Sequence, residues 1–149
     1  MRTLNYIPLT TLVASIVIAV VLSQLFPVSR IFIFPYNLLG LLLVGTGLYL
    51  SYQSVMLLKA HKTTIKPGEN PSSLVIGCPY HYSRNPIYLG DIMLITGIAI
   101  ILSDVTALLS PIIFFLVINS VVIPHEEKNL TRNFGHDYER YKKEVRRWI

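Results

Sequence analysis

The sequence predicts an all-α integral membrane bundle of about four transmembrane helices with a C-terminal helix-turn-helix cap. Three observations carry this reading. Of 149 residues, 52% are hydrophobic and only 14% charged. A soluble domain would carry roughly 25% charged residues, and a disordered chain far fewer apolar ones. The charges are also segregated: 27 uncharged residues separate Arg2 from Arg30, and 28 separate Arg30 from Lys59. A helix needs about 20 apolar residues to cross a bilayer. Finally, seven of the thirteen Lys and Arg residues fall between Lys128 and Arg147, directly after the last apolar run. A basic segment in that place meets anionic lipid headgroups, and no aromatic-interleaved basic pattern points to nucleic acid.

The elements follow in order along a single domain, 1–149. The first span covers about 6–26. It is long for a signal peptide and has no small-x-small cleavage site, so it is expected to be retained. Pro27 ends it, and 27–35 reads as a short turn. The second span, 31–58, exceeds one perpendicular crossing, so it tilts or begins as an interfacial segment. Gly40, Gly45 and Gly47 within it permit close helix contact. Residues 59–85 hold Lys59, Lys62, Lys66 and Arg84 with the breakers Pro67-Gly68 and Pro71, and read as an ordered loop on the membrane surface. The third span is 86–102, Ser103-Asp104 make a tight turn, and the fourth span is 106–123. At 1.5 Å per residue each of these two is roughly 25–28 Å long, near the hydrocarbon thickness.

Four spans return both termini to one side. The loop and the tail carry most of the basic residues, while the opposite turns carry only Arg30 and Asp104. The positive-inside rule therefore places both termini and the loop in the cytoplasm. The tail, 125–149, reads as a short helix over 126–133, a stop at Gly135 and a second helix from about His136. Phe134, Tyr138, Tyr141, Val145 and Trp148 recur at helical spacing, with Arg140, Lys142, Lys143 and Arg146 around them. This stripe suits a membrane-surface anchor, a cap over a pocket, or both.

Two segments carry chemistry. In Ser83-Arg84-Asn85-Pro86-Ile87-Tyr88, Asn85 is a favourable N-cap and Pro86 suits the first helical position, where its missing N–H costs nothing. The third span then opens with free N–H groups and a positive dipole end, with Arg84 just outside and Tyr88 in the first turn. In His125-Glu126-Glu127 two carboxylates follow an uncharged span, and Pro124 marks a kink or restart. Helix neighbours point about 100° apart, so one carboxylate can face the bundle and the other the loop. Taken singly, these are a capped helix start with a snorkelling arginine and a solvated helix start. Taken together they say more. The third and fourth spans form a hairpin, so its open ends lie at one depth. Arg84, Asn85, Pro86 and Tyr88 are expected beside Glu126 and Glu127, around a pocket open to cytosol and lipid. Such a pocket suits a zwitterionic cofactor with an amino-acid end and ribose hydroxyls. Asp91, near the start of the third span, complements the helix N-terminus or pairs with a loop lysine. As an ionisable group this close to the membrane it is itself a site candidate.

Other chemistries lack their residues. Gly45-Thr46-Gly47 has no third glycine and lies in a span, so it is no nucleotide fingerprint. His125-Glu126 has no zincin partner, the four histidines show no metal-ligand spacing, and no metal is expected. Cys78 is alone, excluding a disulfide framework, and no nucleophile-elbow serine occurs.

The run Pro79-Tyr80-His81-Tyr82-Ser83-Arg84-Asn85-Pro86-Ile87-Tyr88-Leu89-Gly90, followed by Glu126-Glu127, Phe134-Gly135, Tyr138 and Tyr141, resembles the isoprenylcysteine carboxyl methyltransferase family, whose core the phospholipid N-methyltransferases share. Thr63-Thr64, Pro67 and the closing Arg147-Trp148-Ile149 also fit, so the resemblance covers about 57–149. It implies S-adenosylmethionine as methyl donor. It implies a cofactor site of Pro79, Tyr80, His81, Tyr82, Arg84, Asn85, Pro86, Tyr88, Leu89, Glu126 and Glu127. Arg84, Glu127 and Arg147 are implied as the catalytic set, with Arg147 toward the substrate entrance. The acceptor implied is a lipid or lipid-modified molecule, a carboxylate ahead of an amine. Cys78 stands where the family has glycine, which bears on the local path of the loop.

The rival classes are a four-span transporter, a membrane reductase and a structural subunit. A transporter would place an ionisable residue deep in a span, and the first, second and fourth spans have none. A reductase needs a nicotinamide site for which no feature is visible. A structural subunit leaves the convergence of Arg84 with Glu126 unexplained.

Overall fold

Apolar runs without internal breakers become the long helices of the chain. The computed structural model describes residues 6–64 and 71–149; Arg2, Lys66 and Pro67-Gly68 lie outside them. Helix α1 (Ile7–Leu25) and helix α2 (Leu39–Ala60, entered through a 3-10 turn at Tyr36–Leu38) precede the polar loop. Helix α3 (Pro86–Leu102) follows it. A 3-10 turn at Val105–Leu108 leads into α4 (Leu109–Val117), a π-helical turn (Ile118–Val122) and α5 (Ile123–Phe134). Helix α6 (His136–Glu144) closes the fold. Among the described residues, three helical runs, Ile7–Leu25, Tyr36–Ala60 and Val105–Phe134, are long and apolar enough to cross a membrane, and Pro86–Leu102 is a shorter apolar helix. The chain is therefore an all-helical, multi-pass bundle, as its composition predicts.

Small residues set how closely the helices approach. Gly40 and Gly47 on α2 are seven residues apart, as are Gly90 and Gly97 on α3, so each pair shares one face. The helices run antiparallel: a methyl on Gly47 would lie 2.5 Å from the Gly90 carbonyl oxygen, and one on Gly97 would lie 2.5 Å from that of Gly40. Gly45, also expected at this contact, has nothing within 4 Å of where its methyl would be; it is two residues from Gly47 and so faces away. On α1, Ser15, Ala19 and Ser23 recur every four residues and are buried, and Ala19 meets Ala99 and Ala107. The larger core lies between α3 and the last span, where Tyr88, Ile95, Phe114 and Ile118 pack with Ile16 and Ile92. Leu9, Val13 and Val17 of α1 and Leu41, Leu42 and Leu48 of α2 remain exposed, as lipid-facing side chains do.

The second helix begins at Tyr36 and not at Ile31. The 31–35 segment is instead tied to the α3–α4 turn, with Ile31 N–H donating to Ser103 O at 3.1 Å and an antiparallel backbone β-bridge between Arg30 and Asp104. Pro124 does not restart the last span either. The helix widens just before it, and the Ile123 N–H bonds back to Ile118 O, five residues away. A π turn of this kind lets the chain pass a proline, which has no N–H to give. The first helix of the expected cap is thus the continuation of the last span. Gly135 (φ +50°) does stop α5. Helix α6 ends at Glu144, and Val145 is extended, so Trp148 lies beyond the helix whose stripe it was expected to join.

Candidate active site

The hairpin of α3 with the last span places its open ends together with the 59–85 loop and α6. Arg84 Nη1 lies 2.9 Å from Glu127 Oε1, with both side chains largely buried. Glu127 is also gripped by Arg147, whose Nε donates to Oε1 at 3.0 Å and Nη2 to Oε2 at 2.7 Å. The remaining Arg147 nitrogen, Nη1, donates to Asn119 Oδ1 at 3.2 Å, which also accepts from Trp148 Nε1 at 3.2 Å. Asn119 sits in the π turn. The Arg147 carbonyl accepts from Asn85 Nδ2 at 2.9 Å and Ser83 Oγ at 3.3 Å, and Arg84 N–H donates to Arg146 O at 3.1 Å. The C-terminal segment is thus stitched to the start of α3. Asn85 spends its side chain on this contact and not on capping its own helix; Ser83 Oγ accepts from the Asn85 N–H at 3.1 Å.

The second glutamate turns the other way, as the angle between helix neighbours requires. Tyr88 Oη donates to Glu126 Oε1 at 2.8 Å. Helix α6 lies over these groups: Tyr138, Tyr141 and Val145 are buried, with Leu74, Leu130 and Phe134 packed against them. Its apolar stripe therefore faces the protein as a cap. Tyr141 Oη donates to Tyr80 O at 2.6 Å. Burial pushes the Tyr80 and Tyr141 hydroxyls above the usual tyrosine range. It raises that of Tyr138 to about 12, with the Glu127 charge adding to burial and Arg84 opposing it. All three stay protonated donors at neutral pH.

These elements enclose a cavity of about 540 Å³, within the range of small-molecule sites. Of the sequence-predicted residues, Tyr80, Arg84, Asn85, Pro86, Tyr88, Glu126 and Glu127 line it. Pro79 is buried, Leu89 is half-buried, and His81 and Tyr82 are exposed; none of the four lines the cavity, and neither does Arg147. Cys78, exposed, precedes a cis bond to Pro79. Residues singled out for other reasons, or for none, also line the cavity: Asp91 on α3, Tyr138 and Tyr141 from the cap, Thr63 and Thr64 from the loop, and Leu12 of α1. Two features mark a binding site. Arg84 Nε is buried with no hydrogen-bond partner, and such a donor is costly unless a ligand meets it. Three carboxylates face the same space. Among the described residues, no group of His, Cys, Asp and Glu gathers as a metal site would.

Residues 36–137, about two thirds of the chain, match the profile of the phospholipid methyltransferases. The chain belongs to the phospholipid methyltransferase family. It is a membrane methyltransferase, lipid-related and multi-pass, whose relatives include the isoprenylcysteine-type enzymes its motifs resemble. A 63-residue stretch is 41% identical to an uncharacterized protein of Haemophilus influenzae, covering 42% of this chain and all of that protein. No solved structure matches. The match spans the cavity-lining residues from Leu58 to Leu130, so the Arg84–Glu127 pair and the Tyr88–Glu126 pair belong to the family domain of this phospholipid methyltransferase relative.

Proposed function

We propose that the protein transfers a methyl group from S-adenosylmethionine to a lipid or lipid-modified acceptor, within one catalytic domain formed by 1–149. The observation that carries this is the cavity itself, lined by an orphaned guanidinium N–H, by paired glutamates, and by apolar walls from Pro8, Leu9, Leu12, Leu58 and Ile87. Glu126 and Glu127 suit the donor's ammonium and ribose hydroxyls, and Arg84 Nε suits its carboxylate. When bound, the donor supplies a methyl on a sulfonium: the S–CH₃ bond breaks with its electron pair left on sulfur, as an acceptor lone pair forms the new bond. What the protein adds is alignment and exclusion of water, worth about 7–11 kcal/mol at best. The cap contributes by covering the site, and the apolar flank by admitting an acceptor sideways from lipid.

A carboxylate is the acceptor favoured, on the resemblance to isoprenylcysteine carboxyl methylation. It is already ionised at neutral pH and asks for no base. An amine is the second reading, favoured by the three carboxylates lining the cavity, any of which could take the proton an amine must lose. The face is read as cytoplasmic, with both termini on that side, because Lys59, Lys62, Arg84 and the basic tail lie there while the opposite turns carry Arg30 and Asp104.

Two measurements test this. Calorimetric titration of the detergent-solubilised protein with S-adenosylmethionine should give saturable heat, weakened at least tenfold in Glu127→Gln and Arg84→Ala. No heat from folded wild type would favour a transporter or scaffold. Supplying methyl-labelled donor to host membranes and identifying the labelled lipid by mass spectrometry then separates the acceptors: a base-labile ester for a carboxylate, a base-stable N-methyl group for an amine.

A further inference from the structure

Asp91 is the charged group at the cavity to which the donor-binding arrangement above gives no role. It lies five residues into α3, roughly 7.5 Å along the axis from Pro86, deeper than the Arg84–Glu127 pair at the helix start. Its hydrogen-bonding partner is Ser51 Oγ, 3.4 Å from Asp91 Oδ1. That hydroxyl has one proton and also stands 3.1 Å from Ile87 O, so Asp91 has at most a share of it. Among the described residues no cation pairs with Asp91. Arg84 is engaged by Glu127 and lies 3.5 Å from Tyr138 Oη, and Arg147 is behind Glu127. A carboxylate held at this depth with so little compensation is costly unless a ligand brings the opposite charge.

The charge of the whole site makes the same point. Among the described residues that line the cavity, Arg84 is the one cation beside three acids, Asp91, Glu126 and Glu127, so acidic groups are in excess there. On the donor reading above, Arg84 and the paired glutamates would satisfy the zwitterionic end of S-adenosylmethionine, and its excess positive charge is the sulfonium, a few bonds from that end. Asp91 lines this same cavity.

We infer that Asp91 is the counter-charge for the donor's sulfonium, so that the site distinguishes the charged donor from its neutral thioether product. The inference rests on the donor proposed above. Its consequence is directional. The attraction exists before methyl transfer and vanishes after it, so Asp91 tightens donor binding and aids product release. Because the sulfonium charge disperses in the transition state, an anion beside it favours the ground state and does not accelerate the chemical step.

The test is calorimetry on the full-length protein in detergent, with three ligands: S-adenosylmethionine, S-adenosylhomocysteine, and an analogue bearing a protonated amine in place of the sulfonium. Wild type should bind both cationic ligands about 10- to 100-fold tighter than the neutral one, the effect of one contact to a charged group. Asp91→Asn, nearly isosteric, should bring the three close to parity by weakening the cationic ligands alone, and Asp91→Glu should restore the preference. An unchanged preference in folded Asp91→Asn overturns the inference and leaves the donor reading intact. Should that variant fail to fold, the wild-type ratios decide: equal affinity for charged and neutral ligands overturns it. Wild type that binds none of the three overturns the donor reading instead.

Discussion

Arg147 holds both carboxylate oxygens of Glu127 in a fork, through Nε at 3.0 Å and Nη2 at 2.7 Å. Its third nitrogen is spent on Asn119. A planar guanidinium is suited to this, because its donors are fixed in the geometry that two carboxylate oxygens present. The arginine implied at a substrate entrance is therefore engaged on all three nitrogens, two of them fixing the glutamate that Arg84 also meets and the third on Asn119. Arg147→Lys keeps the charge but can make neither the fork nor the Asn119 contact together. We expect it to lower stability by about 1–2 kcal/mol, the lower part of the range for bonds to charged groups because Arg147 is part-exposed. Arg147→Ala should cost more, since it also leaves Asn119 with Trp148 alone. Thermal unfolding in detergent reads both, and donor affinity should fall in parallel. An unshifted midpoint in Arg147→Ala would show that the fork contributes nothing to the fold.

The meeting of Arg84 with Glu127 was legible because a hairpin is a ruler. Arg84 lies 20 residues before Asp104 and Glu127 lies 23 after it, so two antiparallel arms of one rise per residue return them to one level. The stop at Gly135 was legible for a local reason, the left-handed freedom of glycine at a helix end. What the sequence concealed has physical causes too. Asn119 is one of a few polar residues in an apolar run, and its role depends on a π turn, which changes the register and has no period of its own to read. Trp148 falls in step with Tyr138 and Tyr141, yet periodicity cannot say that the helix ends at Glu144. Asp91 was legible as a site candidate from its nearness to the membrane, but a carboxylate at a helix start also has an ordinary use, and only the cavity shows which groups it shares a space with.

Glycine content alone did not reveal which glycines hold helices together, and this gives a paired prediction. A methyl at Gly47 would lie 2.5 Å from Gly90 O and 2.9 Å from Leu94 N, both backbone atoms that cannot move aside. Gly47→Ala must separate α2 from α3 and should destabilise by about 1–3 kcal/mol. Gly45→Ala meets nothing within 4 Å and should be neutral or slightly stabilising, from the better helix propensity of alanine. Parallel thermal melts of the two variants settle the matter. Equal effects would mean that the α2–α3 seam is not the close contact described.

At the end of the bundle opposite the site, Asp104 ties the two connecting turns together. Its Oδ1 accepts from Thr106 Oγ1 at 2.7 Å, Thr106 N at 2.9 Å and Val28 N at 3.5 Å. These donors favour the ionised form and hold its carboxyl below the usual aspartate range, with the Thr106 hydroxyl contributing most. A group whose pKa is lowered by folding stabilises the fold above its unfolded value, about 3.9. That contribution fades as pH falls from there through the folded value, since the unfolded chain takes up the proton first. Asp104→Asn keeps a capping side chain but cannot titrate. Wild type should therefore be the more stable at neutral pH, and its advantage over Asp104→Asn should shrink as the pH drops below about 4. The measurement is the difference in melting temperature between the two proteins across an acid series in one detergent. A difference independent of pH would mean that Asp104 acts through its shape and not its charge.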